Sequence, residues 1–283
     1  MHPVRPAAVS GTWYPGAADA LASAVDGYLA HADARPRFDR LTALIAPHAG
    51  LVFSGPVAAY AYRQLEGRAP GVVVLVGPSH FVGFDGVSIY PRGGFDSPLG
   101  VAPIDEACAS KLMAASPVIR EHRPAHLREH SLEMQLPFIR RLLPDAGIVP
   151  LVIGWQTAAV AIELGNALTA ALAGVDAVMV ASSDLSHYHD AHTASRLDGI
   201  VIERVSALDP DGLQRTLDQR PEHACGGGPM VAVMRAAGAL GATHASILRY
   251  ADSGDVSGDK SSVVGYLAAA VGRLRLIGRR HAY

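Results

Sequence analysis

Four short, almost uninterrupted apolar runs constrain this chain more than any other feature. They are LTALIAP (41–47), GVVVLVGPSH (71–80), GIVPLVIG (147–154) and DAVMVASSD (176–184). Each has β-branched character and ends in Gly, Pro or Ser turn chemistry. A strand that is apolar on both alternating faces must be covered on both, as in a parallel sheet between helices. Segments of helical spacing separate the runs. GPVAAYAYRQLE (55–66) follows Ser54 as its N-cap, and IDEACASKLMAA (104–115) carries early acids suited to a helix start. SLEMQLPFIRRLL (131–143) contains Pro137, which predicts a kink or break. TAAVAIELGNALTAALAG (157–174) stops at Gly174, and AHTASRLDGIVIERVSAL (191–208) and GPMVAVMRAAGALG (228–241) are also helical. Strands alternating with helices predict one α/β domain over 1–283, a central, mostly parallel sheet with helices on both faces. HADARPRFDR (31–40) reads as a connection, and the basic stretch 273–283 as a solvated C-terminal tail.

Composition excludes several function classes. With 24 basic and 26 acidic residues the formal charge is −2, so no basic stripe points to nucleic acid. No apolar run reaches the ~18 residues that span a bilayer, SVVGYLAAAVGRLRLIG being interrupted by Arg273 and Arg275. The N-terminus lacks the apolar core of a secretion signal, and two cysteines make no disulfide framework, which points to a reducing cytoplasm. Phosphate-loop, dinucleotide and G-x-S-x-G motifs are absent.

Histidines gather where apolar runs end. His48 follows LIAP, His80 follows VVVLVGPS and His187 follows VMVASSDLS. Ligands of open α/β sheets bind outside the carboxyl ends of the strands, so three such histidines converge on one site. Two imidazoles plus a third protein ligand, with positions left open, describe a metal site able to do chemistry. Cys225, Asp184, His187 and Glu129 are the candidates for the third ligand. Cys225 precedes a helix in HACGGGPM (223–230), and a helix N-terminus stabilises thiolate. Its alternative is a small buried hydrophobe, which is the preferred reading for Cys108. Asp184 and His187 form an acid–base pair, or Asp184 orients a ligand. Glu129 and His130 line the pocket or support ligands, or else cap a helix; His130 and Glu133 share a helix face if that helix begins early enough, and His189 and His192 lie on the exposed start of the next helix. Trp13 and Tyr14 line a pocket or anchor the first helix. RYADSGDVSGDKSS (249–262) is a turn between two apolar runs.

RPAAVSGTWYPG, IAPHAGLVFSGPVAAYAY, VGPSH, EHSLEMQLPF, SSDLSHY, ACGGGP and SGDVSGDKSSVVGY, in this order, resemble the Memo family, whose prokaryotic members are called AmmeMemoRadiSam system protein B. The resemblance runs to about Leu267. It implies a fold similar to the type III extradiol, LigB-like dioxygenases, and a metal pocket of His48, His80 and Cys225 completed by His187 and Asp184. It also implies one non-heme ion, iron(II) or copper, with zinc as a further option, in redox chemistry, and phosphopeptide recognition in the same pocket. Extradiol enzymes hold Fe(II) with two histidines and a carboxylate; the thiolate here is softer and departs from that triad. The three glycines after Cys225 read as clearance around the ion. Two other functions fit the same residues: a non-catalytic module binding a small molecule or peptide, and a cysteine enzyme with Cys225 as nucleophile and His187 as base. The chain is also a candidate homo-oligomer.

Overall fold

The computed structural model describes residues 4–33 and 38–275. The chain runs β1 (Val4–Arg5), α1 (Ala18–His31), β2 (Phe38–Ala46), α2 (Leu51–Tyr62), β3 (Val72–Pro78), β4 (Val87–Ile89), β5 (Gly94–Phe95), β6 (Ala102–Pro103), α3 (Glu106–Ala115), β7 (Ile119–Glu121), α4 (Pro124–Leu127) and α5 (Leu136–Leu142). It continues through β8 (Gly147–Ile153), α6 (Ala158–Leu172), β9 (Ala177–Ser182), β10 (His187–His189), α7 (Ala191–Ser206), α8 (Pro210–Gln219), α9 (Gly227–Ala239), β11 (His244–Asp252), α10 (Gly254–Ser257) and β12 (Val263–Leu274).

The four apolar runs become β2, β3, β8 and β9, which lie side by side and parallel in the order β2-β9-β3-β8. Burial on both faces explains why their pattern is continuous rather than alternating. The helices α2 and α9 both pack on β2 and β12, and helices flank the central sheet. The sheet is parallel at its centre and again at one edge, between β4 and β7. β12 runs antiparallel to β2 and β11, and β4 runs antiparallel to β8. The β11–β12 connection is too short for a crossover, so those strands must form a hairpin. A separate small sheet, β1-β5-β6, ties the N-terminus to the loop after β4.

Local starts follow their caps. Asp105 accepts from the Cys108 N–H at α3, Thr157 from Val160 at α6 and Asp190 from Thr193 at α7. Pro137 sits in the first turn of α5 behind a short 3-10 turn, the break its ring demands. One expected cap is wrong: α2 begins at Leu51, and Ser54 lies inside it with Oγ donating to the Ala49 carbonyl at 2.7 Å. Arg273 also leaves the expected tail, because it belongs to β12 and pairs with Asp39. Residues 276–283 and 34–37 lie outside the described residues. No helix among the described residues is long and apolar enough to cross a membrane.

Candidate metal centre

Three parallel strands end next to one another, Ala46 facing Ser182 across β2 and β9, with β3 on the other side of β9. His48, His80 and Asp184 each stand two residues beyond a strand end, so one step of sequence logic places all three on one edge. Cys225 comes from elsewhere, the loop before α9, which docks on the end of β9. There Gly226 N–H donates to Ser183 Oγ at 2.9 Å and Cys225 N–H to the Asp184 carbonyl at 3.2 Å. A Cβ on Gly226 would sit 2.3 Å from Ser182 O, so this loop packs only with glycine. Gly227 and Gly228 clear Leu217 and Gln156 in the same way. The glycines therefore make room for the strand end and neighbouring side chains.

Ligand atoms of His48, His80 and Cys225 all lie within 4.8 Å of one another. Cys225 Sγ is 3.2 Å from His48 Nε2, close to the roughly 3.5 Å edge that metal bonds of about 2.3 and 2.0 Å span at a tetrahedral angle. His80 is held from behind: its Nδ1 meets Glu129 Oε1 at 2.8 Å and its N–H donates to Oε2 at 2.6 Å. The backbone N–H groups of His130 and Ser131 donate to the same carboxylate. A ring whose Nδ1 is tied to a carboxylate presents Nε2 as a basic, oriented ligand. A second set, His80, Glu129 and His130, also clusters, but its carboxylate is already committed to four donors.

Burial alone would raise the Glu129 carboxyl, but the hydrogen bond and charge of His80 and the backbone donors outweigh it and hold the group at about 2. Burial, then the neighbouring His80, pushes His48 down to about 3, so its imidazole is neutral and can offer a lone pair. His130 falls to about 3 for the same first reason. Burial lifts Asp184 to about 6 against the opposing His48 N–H. Burial and the Asp184 charge push the Cys225 thiol far up, which overrides the helix-terminus effect expected from sequence. A thiolate here needs a cation beside it. That disfavours a free cysteine nucleophile, whose expected base His187 is also displaced by His48 as the thiol's ring neighbour.

The ligand atoms open on a cleft of about 400 Å³ lined by Trp13, His130, Asp184, His187 and Tyr188, among others. Trp13 packs on His130 at 4.3 Å between ring centres, and His130 stacks on His80 at 4.5 Å. Asp184 makes no hydrogen bond to the His187 ring: its Oδ1 accepts from the backbone N–H of His48 at 2.7 Å and of Ala49 at 3.3 Å. Tyr14 is buried outside the cleft, with its hydroxyl donating to Glu133 at 2.6 Å. His130 and Glu133 share no helix face, since α5 starts only at Leu136; one turns to the cleft, the other to Arg5. His192 is exposed at the start of α7 as expected, whereas His189 lies in β10. Cys108 is packed inside α3, with burial pushing its thiol up to about 11.

Sequence reasoning missed the supports. Arg5, wholly buried, bonds Glu133, the His126 carbonyl and the Glu129 carbonyl, so it braces the residue that holds His80. Ser182 and Gln135 stand behind His48. Both lie in motifs already singled out, but nothing in their spacing says what they touch.

A family model described as "Memo-like protein" matches residues 5–270. A "MEMO1 family protein" of Methanothermobacter thermautotrophicus is 37% identical over 272 residues, covering 93% of this chain and 98% of its own. One from Ignicoccus hospitalis is 40% identical over 277 residues, covering 94% and 97%. Among solved structures, uncharacterized protein JW3007 from Escherichia coli K12 shares the fold at TM-score 0.58 and 19% identity, over 82% of this chain and 100% of that one. Strand-end histidines, a converging cysteine and matches along nearly the whole length lead to one conclusion: the chain belongs to the Memo family.

Proposed function

We propose that the chain is a metal-binding, redox-active protein of the reducing cytoplasm, holding one non-heme ion, iron or copper ahead of zinc. The ligands are His48 Nε2, His80 Nε2 and Cys225 Sγ. The observation that carries this reading is the convergence of three ligand atoms within 4.8 Å, each histidine tied at Nδ1 and therefore offering its other nitrogen. A bound ion would supply Lewis acidity and electron transfer at its open position. The two imidazoles and the soft sulfur suit copper and iron, and leave the cleft side free for a ligand.

The chain's own residues do the rest. His187, half-buried at the cleft wall beside Asp184, takes or gives a proton to whatever occupies the cleft. Trp13 and Tyr188, 38% and 77% exposed, flank that occupant, a small molecule or a peptide. The same two exposed aromatics support a second reading, a binding pocket without turnover.

Elemental analysis of protein purified anaerobically without chelator decides between them. One ion per chain, lost in His48→Ala, His80→Ala and Cys225→Ser, is the expected result. Unchanged content in all three variants overturns the ligand set, and wild-type protein that carries and takes up no metal favours the pocket without turnover.

A further inference from the structure

We propose that Ser182 and Gln135 are positioning residues that fix the His48 ring with its hydrogen on Nδ1 and its lone pair on Nε2, facing Cys225. The effect on metal binding rests on the function proposed above; the ring state itself does not.

The hydrogens available around Ser182 decide the ring state. Ser182 ends β9 and is fully buried. Its Oγ lies 2.7 Å from the Ser131 carbonyl, 2.8 Å from Gln135 Nε2 and 2.9 Å from His48 Nδ1. A hydroxyl has one hydrogen and two lone pairs. The Ser131 carbonyl can only accept, so it takes the hydroxyl hydrogen.

The Gln135 atom that meets Ser182 also lies 3.1 Å from the Pro47 carbonyl, another pure acceptor. It must therefore be the amide nitrogen, whichever way the side chain is first drawn. Its partner atom Oε1 accepts from the Tyr62 hydroxyl at 2.9 Å, and Tyr62 is locked by stacking on Phe138 at 4.8 Å. Gln135 thus donates to one lone pair of Ser182. The remaining lone pair faces His48 Nδ1, which must carry the hydrogen.

The opposite arrangement, with Ser182 donating to His48, would take the donor away from the buried Ser131 carbonyl. It would also put a hydrogen on Nε2, where the ligand lone pair belongs. Gln135 does a second thing: by holding Pro47 O and Ser182 Oγ together it cross-links the ends of β2 and β9 beside His48. His80 obtains the same ring state from a carboxylate, His48 from a hydroxyl whose other valences are filled.

Two measurements test this. In wild-type protein with chelator present, long-range proton–nitrogen correlation on ¹⁵N-histidine reads the ring state, with His48 assigned by its loss in His48→Gln. A protonated Nδ1 and bare Nε2 are expected; a protonated Nε2 overturns the inference, whether or not the protein binds metal. Titration with Co(II) alone then reads the consequence. Ser182→Ala and Gln135→Met should weaken binding about 10–100-fold, the usual loss when a ligand histidine loses its partner. Ser182→Thr, which keeps the hydroxyl, should restore binding to within a few-fold of wild type. Ser182→Ala binding Co(II) as tightly as wild type overturns the positioning role. If wild type takes up no Co(II) while the ring state is as expected, the proposed metal function fails and the assignment of the ring survives.

Discussion

His48 and His80 leave parallel strands at the same offset, yet the protein supports them by opposite means. His48 is 2% exposed and rests on a neutral chain of hydroxyl, amide and phenol. His80 has a side chain 28% exposed and rests on the Glu129 carboxylate, which is in turn braced by buried Arg5. The difference follows from the donors at hand, since Glu129 is as buried as His48. Deep in the molecule a lone carboxylate behind His48 would cost several kcal/mol in desolvation, and polar groups with matched hydrogens avoid that cost. Glu129, equally buried, has four donors that hold its charge in place, so a stronger partner is tolerated.

The largest expected effect comes from the support behind the charged corner. Glu133→Ala leaves Arg5 buried without its partner, which should lower unfolding free energy by roughly 3–5 kcal/mol in urea titrations. Because Arg5 also braces the Glu129 carbonyl, the His80 corner should loosen first, seen as altered Trp13 fluorescence.

Next comes acid. His48 sits at about 3 when folded against 6.5 in a free chain, so the unfolded chain takes a proton that the folded one refuses. Its contribution is lost as pH falls from about 6.5 to about 3, at about 1.4 kcal/mol per pH unit for each proton. Glu129 lies at about 2 against 4.5, so its stabilisation is present above 4.5 and lost as pH falls towards about 2. In chelator, His48→Asn should make the upper window of the stability profile shallower, a window that His130 and His126 share, and Glu129→Gln the lower one. Identical profiles for the two variants would erase the contrast between the corners.

Gly226→Ala acts on the His48 corner and the Cys225 loop, since its Cβ would strike Ser182 O at the end of the strand. A loss of about 2–3 kcal/mol in thermal unfolding is expected. The smallest effects separate the corners by affinity: Co(II) binding should weaken ~100-fold in Glu129→Gln and ~10-fold in Ser182→Ala, a charged partner being worth more than a neutral one. The reverse order would mean that the buried corner dominates affinity.

Much of this arrangement was legible beforehand. The strands β2, β3, β8 and β9 show as continuous apolar runs because strands covered on both faces have no polar side to display. Their histidines stand out because the sheet places its ligands at carboxyl ends. α8 carries the Asp209 cap and Pro210 start of a helix, a local signal left unused. The β1-β5-β6 sheet was hidden for a different reason: two-residue strands have no periodicity to read. Tyr14 looked like a site residue by motif, but its hydroxyl meets Glu133, the buried partner of Arg5, more than 100 residues away in sequence.

By itself the sequence determined the parallel centre of the sheet, the edge at which chemistry gathers and the strand-end histidines His48 and His80, with Cys225 one of four candidates beside them. Apolar periodicity and residue type act locally, so they can be read from the chain alone. Only the tertiary structure decided which polar group stands behind each histidine, why the Cys225 thiol resists ionisation and what the glycines after it clear. Those properties depend on burial and on hydrogens shared between segments far apart in sequence.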